Sequence, residues 1–321
     1  MTVVTREQKR GQLHEIEVDL IDRNPENPRI VFRPSEMSQL MESIRRHGVQ
    51  VPISVYRDGR RYVLIDGERR WKACIKLNKG TIPALVQEKP NALTNLLLMF
   101  NIHALREQWD LLTIALKLPR VIELLRGQLD REPNEREVAA QTGLSTGVIR
   151  RCRLLIELPE RHKQTILREL QKPKSQQRFT EDFFIEMERA LKTVERAMPE
   201  VVKEFGKETI RENLIDKYER GVVGNIVHFR QLAKIARADR VHADPKRARA
   251  SLRAAFAKNQ TSIEQAYQQS VASAYSERDL VTRARSLAAQ LSEFSRDDLD
   301  AEALMSLQEL YDVLRSLLGG R

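Results

Sequence analysis

Cysteine is nearly absent: the 321 residues hold two, Cys74 and Cys152, far apart in the chain. That excludes a disulfide-stapled scaffold and a cysteine-rich zinc module. Each falls on the apolar side of a helical pattern and reads as a small buried hydrophobe. The six histidines are scattered without ligand spacing, so no zinc site is expected. Long apolar runs are missing too. The longest, Leu96 to Phe100, falls far short of a bilayer, and the first residues lack an apolar signal core. The expectation is a cytoplasmic protein with no membrane partner.

What is present is charge. Charged residues make up 31% and apolar residues 41% of the chain, with a formal net charge of +10. Globular domains with an anionic partner follow, nucleic acid first among them. The length suits two or three domains.

The front of the chain reads as mixed α and β. Ile16 to Ile21 is a strand candidate, and Asn24-Pro25-Glu26-Asn27-Pro28-Arg29 is a loop whose prolines forbid regular pairing. Ser35 is a candidate N-cap for a helix carrying Met37, Leu40, Met41 and Ile44, which Gly48 ends. Asp58-Gly59 signals a hairpin between Ile53–Tyr56 and Arg61–Ile65. A short strand near Pro83 to Val86 follows. From Asn91 the pattern is helical, with a long helix from Trp109 to about Arg126 in which Pro119 is a candidate break, and a polar break from Gly127 to Pro133.

Gly67-Glu68-Arg69-Arg70-Trp71-Lys72-Ala73 joins a strand-like run, Tyr62 to Ile65, to a helix ending near Leu77. Glycine permits a tight turn and close approach. The first helical turn offers unpaired N–H groups and the positive dipole end, and arginine forks match phosphate oxygens. The stretch reads as an anion cradle for a nucleotide's phosphates; the alternative is a surface helix with solvated arginines.

Residues 135–155 have a helix-turn-helix layout. Val138 is apolar, Ala139 is small where helices meet, Gly143 permits the turn, and Ser145 caps the second helix. Ile149, Cys152 and Leu155 face inward, leaving Ser145, Thr146, Arg150 and Arg151 outward as candidate DNA contacts. The alternative is an ordinary helical hairpin.

Several motifs in order resemble the ParB family of partition proteins over roughly Ile16 to Leu170. Asn27-Pro28-Arg29 resembles, in shortened form, the family's Asn-Pro-x-x-Pro-Arg loop. Ser43 to Ile53 resembles its Ser-Ile-x-x-x-Gly-x-x-x-Pro-Ile segment, Gly67 to Ala73 its Gly-Glu-Arg-Arg box, and Leu155 to Pro159 its Leu-x-Leu-Pro ending. The resemblance implies an α+β chain: a ParB/sulfiredoxin-like nucleotide-binding domain at 14–90, a helical DNA-binding domain at 91–170, a linker at 171–180 and a helical region at 181–321. It implies double-stranded DNA, CTP and a ParA-type ATPase as partners, and a homodimer. Carried over, Gly67, Glu68, Arg69 and Arg70 would hold the triphosphate, with Gly48 and Pro52 beside it. The family's Glu-Asn-x-x-Arg motif meets Phe100-Asn101-Ile102-His103-Ala104-Leu105-Arg106. Asn101 and a displaced Arg106 are nucleotide-site candidates. Phe100 stands where the family has a glutamate that helps hold the metal, which counts against Mg2+ and leaves at most slow CTP hydrolysis. The region after Phe179 departs from the family's usual short dimerisation domain.

Three functions compete: a CTP-gated DNA clamp in plasmid or chromosome partition, a transcription regulator of a plasmid or mobile element without nucleotide gating, and a nucleotide-dependent kinase or nuclease on the same fold. An enzyme needs a nucleophile or base near the cradle, and Cys74, Asp66 and Glu68 are the candidates there.

Overall fold

The computed structural model describes residues 12–27, 31–104, 110–258 and 260–319, with the backbone alone given for 101–104. The chain divides into two compact units, Met1–Arg189 and Ala190–Arg321.

The first unit opens with a five-stranded sheet of order β1-β5-β3-β4-β2, where β1 is Gln12–Glu17, β2 Ile21–Asp22, β3 Ile53–Asp58, β4 Arg61–Asp66 and β5 Thr81–Gln87. The strand expected at Ile16 to Ile21 is therefore split. A 3-10 turn, Val18–Leu20, separates β1 on one edge from β2 on the other, which one continuous strand could not reach. Trp71 Nε1 holds that turn by donating to the Val18 carbonyl at 3.2 Å. β3 and β4 form the antiparallel hairpin that Asp58-Gly59 announces, with Gly59 at φ 62°.

Two helices cover one sheet face: α1, Pro34–His47, and α2, Glu68–Lys76. Met37 and Ile44 of α1 and Ala73 and Cys74 of α2 pack on Ile16, Ile53, Val55, Leu64 and Ile82. Helix α1 starts two residues earlier than an N-cap at Ser35 predicts, with Arg33 in the cap position. Pro34 occupies its first position, where a missing N–H costs nothing, and Gly48 ends it at φ 70°. The opposite face, Tyr56, Val63 and Ile65, packs against Leu98 of α3, Ala92–Ala104.

Helix α4, Leu111–Leu129, runs unbroken through Pro119 and Gly127. An interior proline costs about 3 kcal/mol. Here Leu112, Ile114, Ala115, Leu118, Val121 and Leu125 are buried on both sides of it, each worth roughly 1 to 3 kcal/mol, so packing overrides the break. Helices α5, Glu135–Thr142, α6, Thr146–Ile156, and α7, Glu160–Leu170, complete the middle of the unit.

Helix α8, Glu181–Ala197, crosses the division between the units. Beyond it come α9, Pro199–Phe205, α10, Lys207–Glu219, α11, Phe229–Ala236, α12, Pro245–Phe256, and α13, Ile263–Ser270. Two long helices follow: α14, Ala272–Leu291, and α15, Ala301–Leu318. The fully buried Lys217 of α10 donates to the Ala255 and Thr261 carbonyls at 2.7 and 2.8 Å, satisfying the end of α12. Arg249 and Arg253 of α12 pair with Glu200 and Glu204. These pairs form a surface ion-pair ladder.

Candidate nucleotide and nucleic-acid sites

The cradle begins at Gly67, buried between β4 and α2 with φ 95°. A Cβ there would stand 2.5 Å from Ile53 Cγ2 and 3.0 Å from Ile53 Cβ. Only glycine suits both the left-handed backbone and the space. Gly67 holds the N-cap position of α2 and, as a glycine, brings no capping side chain; the first-turn amides of a helix are where an anion is favoured. Asp66 accepts from Arg70 Nη2 at 3.0 Å.

The box residues have demanding internal partners. Arg70 Nη1 donates to the Val51 and Pro52 carbonyls at 2.5 and 2.6 Å, so it staples the Gly48–Pro52 loop to α2. Arg69 pairs with Glu36 at 3.3 Å. Glu68 is buried, meeting Arg23 at 2.9 Å and Lys72 at 2.7 Å and accepting from Asn27 Nδ2 at 2.5 Å. Glu68 is thus an interior hub that fixes the Asn24–Asn27 loop, and an anion would meet the arginines and amides around it. Gly48 is exposed at the far end of the loop that Arg70 holds.

The second candidate site lies on α5 and α6. Asn134 and Glu137 form a capping box for α5. Arg131 on Glu137, aided by the Asn134 amide, holds that carboxyl down to about 2. Gly143 makes the turn at φ 72°. Ser145 Oγ accepts from the Val148 amide at 3.2 Å and starts α6. Ile149, Cys152 and Leu155 are buried, and Cys152 Sγ lies 3.9 Å from the Leu111 carbonyl of α4. Burial pushes the Cys152 thiol up to about 12, so it is an inert apolar contact. Outside stand Ser145, Thr146, Arg150 and Arg151. Arg150 Nε pairs with Glu135 at 2.9 Å, and Arg151 pairs with Asp182.

A family model described as the ParB N-terminal domain matches residues 3–102. Residues 3–102 are thus similar to the ParB N-terminal domain. A probable chromosome-partitioning protein ParB of Pseudomonas putida is 36% identical over 151 residues, covering 46% of this chain and 49% of that one. A nucleoid occlusion protein of Geobacillus thermodenitrificans is 30% identical over 162 residues, covering 50% of this chain and 55% of that one. The chain spans about half the length of these curated relatives. A solved structure of C-terminally truncated ParB from Caulobacter crescentus, complexed with CTP-gamma-S, is similar at 25% identity and TM-score 0.29, covering 56% of this chain and 93% of that one.

The ParB N-terminal domain explains residues that the sequence reading passed over. The run Asn24-Pro25-Glu26-Asn27-Pro28-Arg29 spells the whole Asn-Pro-x-x-Pro-Arg loop, not a shortened one. Asn24 is buried, donates to the Leu64 carbonyl at 2.7 Å and to Asn95 Oδ1 at 3.1 Å, and so pins this loop to β4 and α3. The signal was an asparagine before proline, a residue that bonds its own turn. Its Oδ1 accepts from the Glu26 amide at 3.0 Å. Arg33 was also missed. It joins α1 to the start of α4 through Asp110 at 2.7 Å and to the end of α7 through the Leu170 carbonyl at 3.1 Å.

The remaining candidates divide. Phe100, at the glutamate position, is fully buried and offers no ligand. Asn101 lies in α3 without a described side chain, and Arg106 lies outside the described residues. Among the described residues no group of three or more His, Cys, Asp or Glu could hold a metal, and Asp66 and Glu68 already face cations. No helix among the described residues is long and apolar enough to cross a membrane.

Proposed function

We propose that this chain binds duplex DNA through α6 as a partition protein, gated by CTP in its ParB N-terminal domain. One observation carries the reading: in one chain that domain precedes a serine-capped helix, packed on α4 by Ile149, Cys152 and Leu155, whose Arg150 and Arg151 face out. Such a helix offers arginine forks to guanine edges. The relatives' names, chromosome partitioning and nucleoid occlusion, agree with a role on chromosomal DNA. A ParA-type ATPase and a second copy of the chain are the protein partners in this reading. Gel-shift titration against a duplex enriched by the protein from a random library tests it. Arg150→Ala and Arg151→Ala should each weaken binding by roughly 10- to 100-fold; wild-type affinity in both rejects α6 as the reading helix.

A second reading keeps the DNA and drops the nucleotide, giving a plain regulator. It is favoured by the internal partners of Arg69, Arg70 and Glu68 and by Phe100 at the glutamate position. Calorimetric titration of the four nucleoside triphosphates, with and without the enriched duplex, separates the two. CTP-selective heat supports gating; no heat from any nucleotide supports the regulator. The enzyme reading loses its thiol, because Cys74 is fully buried on the body of α2 and burial raises its pKa.

A further inference from the structure

Helix α5 ends its capping box with one carboxylate unspent. Asn134 and Glu137 satisfy each other's amides, while Glu135, the first residue of α5, reaches across to α6. Its Oε2 lies 2.9 Å from Arg150 Nε, and its Oε1 3.8 Å from Arg153 Nη1. Arg150 and Arg153 stand one turn apart on α6, so one carboxylate serves two guanidiniums. Glu135 is 27% exposed, against 69% for Arg150. The carboxylate is thus the more buried member of the pair, and the arginine the more exposed.

The atom used matters. Glu135 engages Arg150 through Nε, and among the described contacts the two Nη groups make none. A guanidinium gripped at Nε keeps its Nη end pointed away, which is an edge that can still read guanine O6 and N7. Fixing that orientation beforehand removes rotamer freedom that binding would otherwise cost. The same negative charge opposes phosphate oxygens that approach Arg150 or Arg153 without a base edge to read. A site that penalises the wrong contact gains specificity by that penalty.

We propose that Glu135 is a specificity-determining positioning residue of the DNA interface: it aims Arg150 at base edges and holds Arg150 and Arg153 back from unselective phosphate contacts. This rests on the reading of α6 as the DNA-reading helix. Glu135 touches no base; it acts through the arginine.

The test uses the full chain, a duplex enriched by the wild type from a random-sequence library, and a scrambled duplex of equal length. Affinity for both is measured across a salt series for wild type, Glu135→Gln, Arg150→Ala and the double variant. Glu135→Gln should bind the scrambled duplex more tightly, with a salt slope steeper by about one, as one phosphate contact is released. It should lower the enriched-to-scrambled ratio by about tenfold, the small end of one bidentate pair. In the Arg150→Ala background the same substitution should lower the ratio by clearly less than in the wild type, since only Arg153 is left to be released. A loss of affinity equal on both duplexes with the wild-type slope, or an unchanged ratio and slope, overturns the proposal. Glu135→Ala repeats the measurement without a hydrogen-bonding amide, and thermal melting confirms that each variant folds. A wild type that enriches no sequence overturns the reading of α6 itself, and this inference with it; that outcome differs from enrichment insensitive to Glu135.

Discussion

Gly67 decides the geometry of the front site by what it lacks. Its φ of 95° and the 2.5 Å gap to Ile53 Cγ2 leave no room for a methyl group. Ile53 is fully buried in β3 and cannot withdraw without opening the core. Gly67→Ala should therefore lose about 2 kcal/mol or more, combining left-handed strain with overpacking. Urea unfolding followed by circular dichroism checks it, and a loss under about 0.5 kcal/mol, the range of an ordinary surface change, rejects the steric account. The need for a glycine was legible because it follows from neighbours in sequence: a strand ending and a helix starting. The duties of Glu68 and Arg70 were not. Glu68 meets Arg23 and Asn27, and Arg70 meets Val51 and Pro52, all brought in by the sheet. A motif tells which residues are special; tertiary structure tells which of them face a ligand and which brace the loop around it.

Helix α4 shows the same division between elements. Its length through Pro119 was hidden from local propensity, because burial of the residues on either side overrides the proline. Its start was hidden as well. Asp110, in the N-cap position, makes no side-chain cap and pairs with Arg33 instead. The cap comes from another helix: Glu181 of α8 accepts from the Leu112 amide at 2.5 Å. By contrast the two helices of 135–156 were legible nearly to the residue, since turn glycine and cap serine are local signals. Burial is the main force on Glu181, with Asp110 and Asp182 adding repulsion against the amide bonds, and its pKa rises from 4.5 to about 7. The folded state then holds a proton that the unfolded state has released between those values. Stability from this group is full below about 4.5 and is lost as pH rises through 7. A shift of that size corresponds to roughly 3 kcal/mol. Glu181→Gln keeps an acceptor for Leu112 and cannot ionise. The stability difference, variant minus wild type, should therefore be larger at pH 8 than at pH 5 by up to about 3 kcal/mol. Urea midpoints at the two pH values measure it, and an equal difference at both rejects a charged, buried cap.

At the scale of the whole molecule, the C-terminal helices carry more apolar surface than one chain covers. Helix α15 has no buried residue over its 18 positions, and Leu317 and Leu318 are 73% and 83% exposed. Leu307, Leu310, Leu314 and Leu317 recur at the three- and four-residue spacing of a helix–helix seam. Leu280 and Leu287 of α14, seven residues apart, are exposed too. A contiguous apolar stripe of this length marks an interaction surface. The spacing fits a second copy, since a self-complementary seam closes a two-fold dimer. A two-fold dimer would also present two α6 helices to two half-sites, which ties the oligomer to the DNA it reads. Leu314→Glu with Leu317→Glu places two charges in the seam and should halve the mass seen by sedimentation equilibrium. Neither residue is buried in the chain, so the helical circular dichroism should hold. Affinity for a duplex with paired half-sites should fall, while affinity for a single half-site stays, because only the linkage between the two reading helices is lost. A double variant with wild-type mass would assign the stripe to a partner of another kind, and a wild type already monomeric would remove the dimer altogether.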